Sequence, residues 1–215
     1  MKTTIVYLFF ISVLNINTTH AQNPIQVQTQ GNGKAVLLLP GFANSSEVWE
    51  ETLQNIKGKY QFHLVDYAGF NELKPIQAPW LPKVKTGLKD YISKNNLKNL
   101  TIIGHSLGGT LAIYLAAELP EYVRQIIIVD GLPNTAGLMF PNQKSGSFTY
   151  DNPYAKTQLN MPIENFKQMI AQQVQMMCNN ENKREQIIDW IVNTDRKTYV
   201  YGYVDYLNFD ARPHL

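Results

Sequence analysis

A short apolar run ends abruptly at a glycine and leads through a single serine into a helical pattern. The residues Leu100 to Ile103 are apolar and do not strictly alternate with polar residues, which is typical of a buried parallel strand. After the serine, Leu111 and Leu115 continue with helical spacing until Pro120. We therefore expect Ser106 to lie at the turn between a strand and a helix.

The glycines around this serine have the spacing Gly-x-Ser-x-Gly, with Gly104 before it and Gly108 after it. In such a turn the serine adopts strained backbone angles, and the glycines remove Cβ atoms that would collide across the turn. The serine hydroxyl then faces outward, and the amide of Leu107 at the start of the helix is a free donor for an oxyanion. The alternative is a glycine-rich turn that only packs a helix closely on a sheet. The strand before and the helix after favour a nucleophile at Ser106.

The segment Gly-His-Ser-Leu-Gly-Gly, from Gly104 to Gly109, resembles the nucleophile elbow of esterases and lipases of the α/β-hydrolase family. The resemblance covers most of the chain after Ile25. It implies an α/β fold with a mainly parallel sheet covered by helices on both faces. It also implies a second oxyanion donor in the loop after an early strand, where the family has a His-Gly-x segment. Here Pro40 stands in place of the histidine, and the donor would be the amide of Phe42.

Apolar periodicity predicts the remaining core elements. Strands are expected at residues 25–29, 35–39, 62–65 and 125–129, and helices at 49–56 and 81–93. The glycines between the first two strands suggest that these strands form an antiparallel hairpin. The later alternation of strands and helices predicts parallel pairing.

Residues 132–209 interrupt this alternation. An irregular stretch rich in Asn, Gly, Ser and Pro is followed by helical patterns, which predicts a helical cap inserted after the strand that ends near Asp130. We divide the chain into a signal peptide (1–21), an α/β-hydrolase core (22–131), a helical cap (132–209) and the start of a return to the core (210–215), with the rest of the core absent. The methionines of the cap either form an apolar face toward the acyl chain of a substrate or fill the interior of the cap. They are Met139, Met161, Met169, Met176 and Met177.

A serine nucleophile needs a histidine base and a carboxylate that orients it, and the family carries them in the order serine, acid, histidine. The only histidine after Ser106 is His214. It lies in the segment 209–215, which resembles the segment that joins the cap to the next core strand in this family, so we do not expect it to be the base. Strand alternation turns His105 away from the serine. Asp130 is a fallback acid, and an ordinary strand-ending turn is its alternative. The chain is either a fragment or a natural short form without catalysis, and an exposed apolar strand edge favours a fragment.

The N-terminal residues 1–21 have the pattern of a secretory signal peptide, with Lys2, an apolar stretch from Ile5 to Leu14, and a cleavage site after Ala21. An uncleaved anchor is the alternative, but the apolar stretch is shorter than the roughly 20 residues that a spanning helix needs. The chain has 19 basic and 17 acidic residues, a balance that gives it no electrostatic reason to bind nucleic acid. Cys178 is the only cysteine, which excludes an intramolecular disulfide.

These features predict a secreted or periplasmic serine hydrolase that cleaves a carboxylic ester or related acyl bond through an acyl-enzyme on Ser106. The substrate would be a small ester or acyl compound. No metal and no organic cofactor are expected, because the mechanism needs none. A non-catalytic, ligand-binding member of the family is the alternative. The sequence fixes neither acyl length nor oligomeric state.

Overall fold

The strands form one five-stranded sheet in the computed structural model, which describes residues 22–215. The signal peptide predicted for residues 1–21 lies outside the described residues. The strands are β1 (Ile25–Gly31), β2 (Lys34–Leu39), β3 (Tyr60–Tyr67), β4 (Leu100–His105) and β5 (Val123–Val129). Their order is β1-β3-β2-β4-β5, and only the β1–β3 pair is antiparallel. The predicted α/β fold with a mainly parallel sheet is confirmed.

The predicted hairpin between β1 and β2 is wrong. β1 pairs with β3, with Val27 opposite Val65, while β2 lies between β3 and β4. The residues Val36–Leu39 of β2 are all buried, which suits a central strand with a parallel partner on each edge. Gly31 and Gly33 have φ angles of 76° and 124°, and they turn the chain from the outer strand toward the centre of the sheet.

The helices between the strands cover both faces of the sheet. They are α1 (Glu50–Asn55), α2 (Trp80–Lys94) and α3 (Leu107–Glu118). On one face α2 and α3 form the main core with Leu37, Leu39 and other buried strand residues. On the opposite face Trp49, just before α1, packs with Val36 and Leu38. These contacts remove apolar strand surface from water on each side.

Five more helices follow β5, within the residues predicted to form the cap. They are α4 (Thr135–Met139), α5 (Pro153–Asn160), α6 (Ile163–Met177), α7 (Glu181–Val192) and α8 (Arg196–Asn208). The prediction of an irregular stretch was wrong for α4, where the side chain of Asn134 accepts a hydrogen bond from the Gly137 amide and caps the helix. The division into core and cap at residues 131 and 132 stays a prediction.

The outer edge of the sheet is apolar and exposed at β5. The side chains of Ile127, Ile128 and Val129 keep 45%, 39% and 44% of their surface accessible. β4 is the only strand that pairs with β5 among the described residues. An open edge of this kind is a template for further strand pairing.

Candidate active site

Ser106 lies at the turn between β4 and α3, with φ 52° and ψ −117°. A non-glycine residue in this region is strained by about 1–3 kcal/mol and is held there only by its surroundings. Its amide donates to the carbonyl of Val129 at 2.9 Å, and its own carbonyl accepts from the amides of Gly109 at 2.9 Å and Thr110 at 3.2 Å. The strand β5 and the first turn of α3 thus fix the backbone of the serine.

Two glycines permit the close approach of β4, α3 and β2. A Cβ on Gly104 would lie 2.1 Å from the carbonyl oxygen of Gly108, and a Cβ on Gly108 would lie 2.2 Å from that of Leu39. No side chain fits at either position without movement of the backbone. The glycine spacing of the sequence is therefore required by the geometry of this turn.

The loop after β2 packs directly against the serine turn. A Cβ on Gly41 would lie 2.9 Å from Nδ1 of His105, the residue before the serine. The carbonyl of the next residue, Phe42, accepts a hydrogen bond from the side chain of Asn44 at 3.4 Å. Within residues 22–215, the amides of Phe42 and Leu107 donate no hydrogen bond to another protein group. Both amides are thus available as donors, and their assignment to an oxyanion hole stays a prediction.

The Phe42 side chain is surrounded by aromatic rings. Its centroid lies 5.0 Å from that of Phe70 and 6.1 Å from that of Trp80, both in edge-to-face geometry. The rings of Tyr199 and Tyr203 in α8 lie at 5.6 and 5.5 Å from the same centroid. Aromatic pairs at these distances are stabilising beyond the area that they bury. The cap helix α8 is therefore packed against the loop that carries the Phe42 amide.

A buried threonine joins the serine turn to the same cap helix. The hydroxyl of Thr110 donates to the carbonyl of Leu132 at 2.6 Å and lies 3.2 Å from the hydroxyl of Tyr206. Thr110 is fully buried in an otherwise apolar stretch of α3. Thr110 was not predicted as a functional residue, although a polar residue in that apolar stretch is visible in the sequence.

Two of the histidines lie away from Ser106. His63 is buried in β3, where its Nδ1 is 2.8 Å from the hydroxyl of Tyr91. His214 lies with its Nδ1 3.9 Å from a carboxylate oxygen of Glu118, at the far end of α3. The 12 residues of α3 make it about 18 Å long. His214 is therefore not placed to act on the serine hydroxyl, as the sequence led us to expect.

His105 and Asp130 lie close to one another beside the serine turn. Burial lowers the pKa of His105, and the negative charge of Asp130 partly opposes this shift. The Nδ1 atom of His105 is buried without a hydrogen-bond partner among the described residues. Asp130 follows β5, is exposed, and has a φ of 51°. The fallback acid is thus near a histidine, and its catalytic role stays a prediction.

The methionines of the cap are dispersed and do not form one surface toward the serine. Met161 and Met169 pack into the interior of the cap, while Met176 and Met177 are 79% and 72% exposed. Met139 accepts a hydrogen bond from the hydroxyl of Tyr203 at 3.3 Å. Two of the five therefore fill the cap interior, and Met139 contacts Tyr203, a ring that packs on Phe42.

Residues 22–215 contain no group of three His, Cys, Asp or Glu side chains placed to hold a metal ion. None of their helices combines the length and the apolar character that crossing a bilayer requires. Two surface cavities of about 820 and 690 Å³ lie near β1, and Ser106 lines neither.

The fold and the serine turn agree with a match to a known family. The model of the alpha/beta hydrolase fold family matches residues 34–200. The chain belongs to the α/β-hydrolase fold family. The resemblance inferred from the segment around Ser106 is thereby confirmed.

The relatives of this α/β-hydrolase include enzymes that cleave esters. It is 29% identical over 109 residues to a pimeloyl-[acyl-carrier protein] methyl ester esterase of Nitrosomonas europaea. The aligned region covers 51% of this chain and 42% of that protein. The same enzyme of Vibrio vulnificus is 28% identical over 109 residues, 51% of the chain and 41% of the relative. The chain thus spans less than half of the length of these relatives.

Solved structures share the fold at low identity. An esterase from Exiguobacterium antarcticum superposes with a TM-score of 0.65 at 20% identity, covering 89% of this chain and 72% of the other. An enol-lactonase from Burkholderia xenovorans superposes with a TM-score of 0.72 at 13% identity, covering 88% and 72%. At these identities the likeness establishes the α/β-hydrolase fold alone.

Proposed function

We propose that this α/β-hydrolase is part of a secreted or periplasmic serine hydrolase that cleaves carboxylic esters or related acyl bonds. Ser106 attacks the carbonyl carbon and forms an acyl-enzyme, which water then hydrolyses. The amides of Phe42 and Leu107 hold the oxyanion of each tetrahedral intermediate. The reaction needs no metal and no organic cofactor.

The observation that carries this proposal is the backbone of Ser106. Its φ of 52° and ψ of −117° place a strained serine between a strand and a helix, with glycines at the two points of closest approach. Strain that the surrounding structure maintains is typical of functional residues. The ester-cleaving relatives from Nitrosomonas and Vibrio support the same reaction class.

We propose further that the histidine base and the acid come from outside the residues of this chain, which alone is inactive. Three observations support this. His63 of β3 is buried and hydrogen-bonded, and His214 lies about the length of α3 from the serine, so neither is placed to act as the base. The edge of β5 exposes Ile127 and its neighbours. This chain covers 72% of the length of the solved esterase and 72% of that of the solved lactonase, so both have residues without a counterpart here.

Export is proposed from the sequence pattern alone. The basic, apolar and small-residue segments of residues 1–21 are those of a signal peptide. N-terminal sequencing of the protein from the periplasm or medium would find Gln22 as the first residue. A mature chain that retains Met1 in a membrane fraction would contradict cleavage and favour an anchor.

The function is tested by substituting the serine in the longest product of the gene. We expect that product to hydrolyse 4-nitrophenyl acetate or butyrate and the present chain alone not to. Ser106→Ala should lower kcat by at least about 10³-fold, because the nucleophile and its base act as a unit. Ser93→Ala, which changes an exposed serine at the end of α2, is the matched control. Activity that survives Ser106→Ala would exclude this serine as the nucleophile.

A non-catalytic ligand-binding protein is the second candidate. The arrangement around His105 favours it, because the buried Nδ1 of this histidine faces Gly41 and no other described histidine lies near the serine. A fluorophosphonate probe distinguishes the two candidates. The hydrolase requires covalent labelling of Ser106 in the longest gene product, whereas the binding protein requires none.

A further inference from the structure

The helix α8 presents a row of tyrosines to the loop after β2. Tyr199, Tyr203 and Tyr206 are spaced by four and three residues, which places them on one face of the helix. Their ring centroids lie 5.6, 5.5 and 6.5 Å from that of Phe42. One face of a cap helix is thus made of phenol rings packed around the residue proposed as an oxyanion donor.

This face is close to the serine turn. The hydroxyl of Tyr206 lies 3.2 Å from that of Thr110, and the amide of Thr110 donates to the carbonyl of Ser106 at 3.2 Å. Tyr206 therefore lies within about one helical turn of the proposed nucleophile. Tyr203 and Tyr199 extend the same face farther along the cap helix.

A fourth tyrosine, Tyr154, lies on α5, a helix that packs against α8. Tyr154, at the start of α5, is 47% exposed. The packing of α5 on α8 brings Tyr154 near this face; burial raises the pKa of Tyr199 and Tyr203, and the nearby Tyr154 adds to both shifts. Burial, with smaller contributions from Tyr154 and Tyr206, raises the pKa of Tyr203 to about 12. The three hydroxyls are therefore protonated and uncharged at neutral pH.

The neighbouring cation is engaged elsewhere. Arg196, whose charge acts on Tyr199, donates from Nη1 to the backbone carbonyls of Gln158 and Met161. Its guanidinium also lies 3.6 Å from the ring centre of Phe166, in the interior of the cap. A carboxylate on the substrate would find no free guanidinium here, which favours a neutral ligand.

The hydroxyls have unused hydrogen-bonding capacity. Tyr203 donates to the thioether sulfur of Met139 at 3.3 Å, and a thioether is a weak acceptor. Within the described residues, no protein group forms a hydrogen bond with the hydroxyl of Tyr154 or of Tyr199. Burial is the leading cause of the raised pKa of each. A ligand hydroxyl or carbonyl group would supply the stronger partner that these groups lack.

We propose that Tyr154, Tyr199 and Tyr203 form one wall of the substrate site and select an uncharged aromatic ester whose ring carries a hydroxyl or carbonyl group. The rings of the wall contact the aromatic ring of the ligand, and the phenol hydroxyls bond its polar substituent. An unsubstituted aliphatic chain would leave these hydroxyls unpaired. This inference rests on the proposed function, since it assigns the substrate of the same site.

Binding to the Ser106→Ala variant of the chain tests the wall without turnover. The probes are methyl 4-hydroxybenzoate and methyl 4-methylbenzoate, which differ by a hydroxyl in place of a methyl group. We expect the hydroxy ester to bind about tenfold more tightly by calorimetry, as one hydrogen bond gained at a partly buried site implies. Tyr203→Phe and Tyr199→Phe should each reduce this ratio toward one and leave the affinity of the methyl-substituted ester unchanged.

Tyr60→Phe is the matched control, because Tyr60 is a partly buried tyrosine on the other face of the sheet, beside Phe62. It should leave the ratio unchanged. Equal affinity for the two esters, or an affinity ratio that persists in both Tyr→Phe variants, would contradict the proposed tyrosine wall.

Hydrolysis by the longest gene product tests the proposed function separately from the tyrosine wall. If the longest gene product hydrolyses simple esters through Ser106 and the ratio is one, the wall is wrong and the function stands. If the ratio is tenfold and hydrolysis is absent, the wall stands as a binding site.

Discussion

The variant Gly104→Ala tests how closely β4 approaches α3. A Cβ at this position would lie 2.1 Å from the carbonyl oxygen of Gly108 and 2.6 Å from the amide nitrogen of Gly109. Ordinary contacts of a Cβ begin at 3.4 Å, so the two backbones must separate by about 1.3 Å. The neighbouring atoms belong to the backbone, and no rotation of a side chain can relieve the contact.

The expected loss follows from this rigidity. Extra methylene groups in a packed core cost about 1–3 kcal/mol when side chains and backbone can shift. Because only backbone faces Gly104, we expect at least the upper end, about 3 kcal/mol. The free energy of unfolding of a domain is about 5–15 kcal/mol, so the loss is a large fraction of it.

Urea denaturation followed by far-UV circular dichroism measures this loss. Gly109→Ala and Gly137→Ala provide a graded series of controls. A Cβ at Gly109 first meets the side-chain carbon Cγ2 of Ile128 at 2.8 Å, and one at Gly137 meets the side chain of Asn134 at 3.2 Å. We expect the free energy of unfolding to fall most for Gly104→Ala, less for Gly109→Ala, and by under about 0.5 kcal/mol for Gly137→Ala.

The order of the three variants decides the matter. If Gly104→Ala unfolds at the same urea concentration as Gly137→Ala, the strand and helix are not in the contact described. The strained geometry assigned to Ser106 would then lose its structural basis.

Three further predictions concern stability and solubility. Asp205→Ala should lower the free energy of unfolding, measured in urea, by about 1–2 kcal/mol. The Asp205 carboxylate accepts hydrogen bonds from the Trp80 amide at 2.6 Å and from the next amide at 3.0 Å, at the start of α2. Asp205→Asn should lower the free energy of unfolding by less, and an equal loss in the two variants would contradict capping by the charge. Burial lowers the pKa of His63 and His105 below 6.5, so the unfolded chain binds more protons than the folded chain. The stability that is present above pH 6.5 should therefore decrease as the pH falls. Urea midpoints that are constant from about pH 7.5 to 5 would contradict this prediction. Ile127→Lys should reduce self-association in sedimentation velocity, because this side chain is 45% exposed on the sheet edge; association as strong as that of the unsubstituted chain would show that the edge is not responsible.

The turn at Ser106 could be predicted because its signals are local. Apolar residues mark the strand before it and the helix after it, and the glycines mark the close contacts. The start of α5 was equally visible, since Asn152 caps it and Pro153 occupies its first position. It was missed because the surrounding polar residues favoured an irregular stretch.

The pairing of β1 could not be predicted from local signals. An alternating strand followed by glycines fits either a hairpin or a strand that joins a more distant partner. Only the burial of both edges of β2 decides between them, and that depends on β3 and β4. The contact of Thr110 with Tyr206 joins residues 96 apart in sequence, so it too follows from tertiary packing.

The serine turn and the open sheet edge are physically linked through β5. The amide of Ser106 donates to the carbonyl of Val129, and the next residue, Asp130, also has a positive φ of 51°. β5 therefore supports the strained serine on one edge, while its other edge has no strand partner among residues 22–215. Any strand that pairs with the open edge would restrict fraying of β5 and so stabilise the backbone of the serine. If a longer product of the gene supplies such a strand, hydrogen exchange at the Ser106 amide should be slower in that product than in this chain.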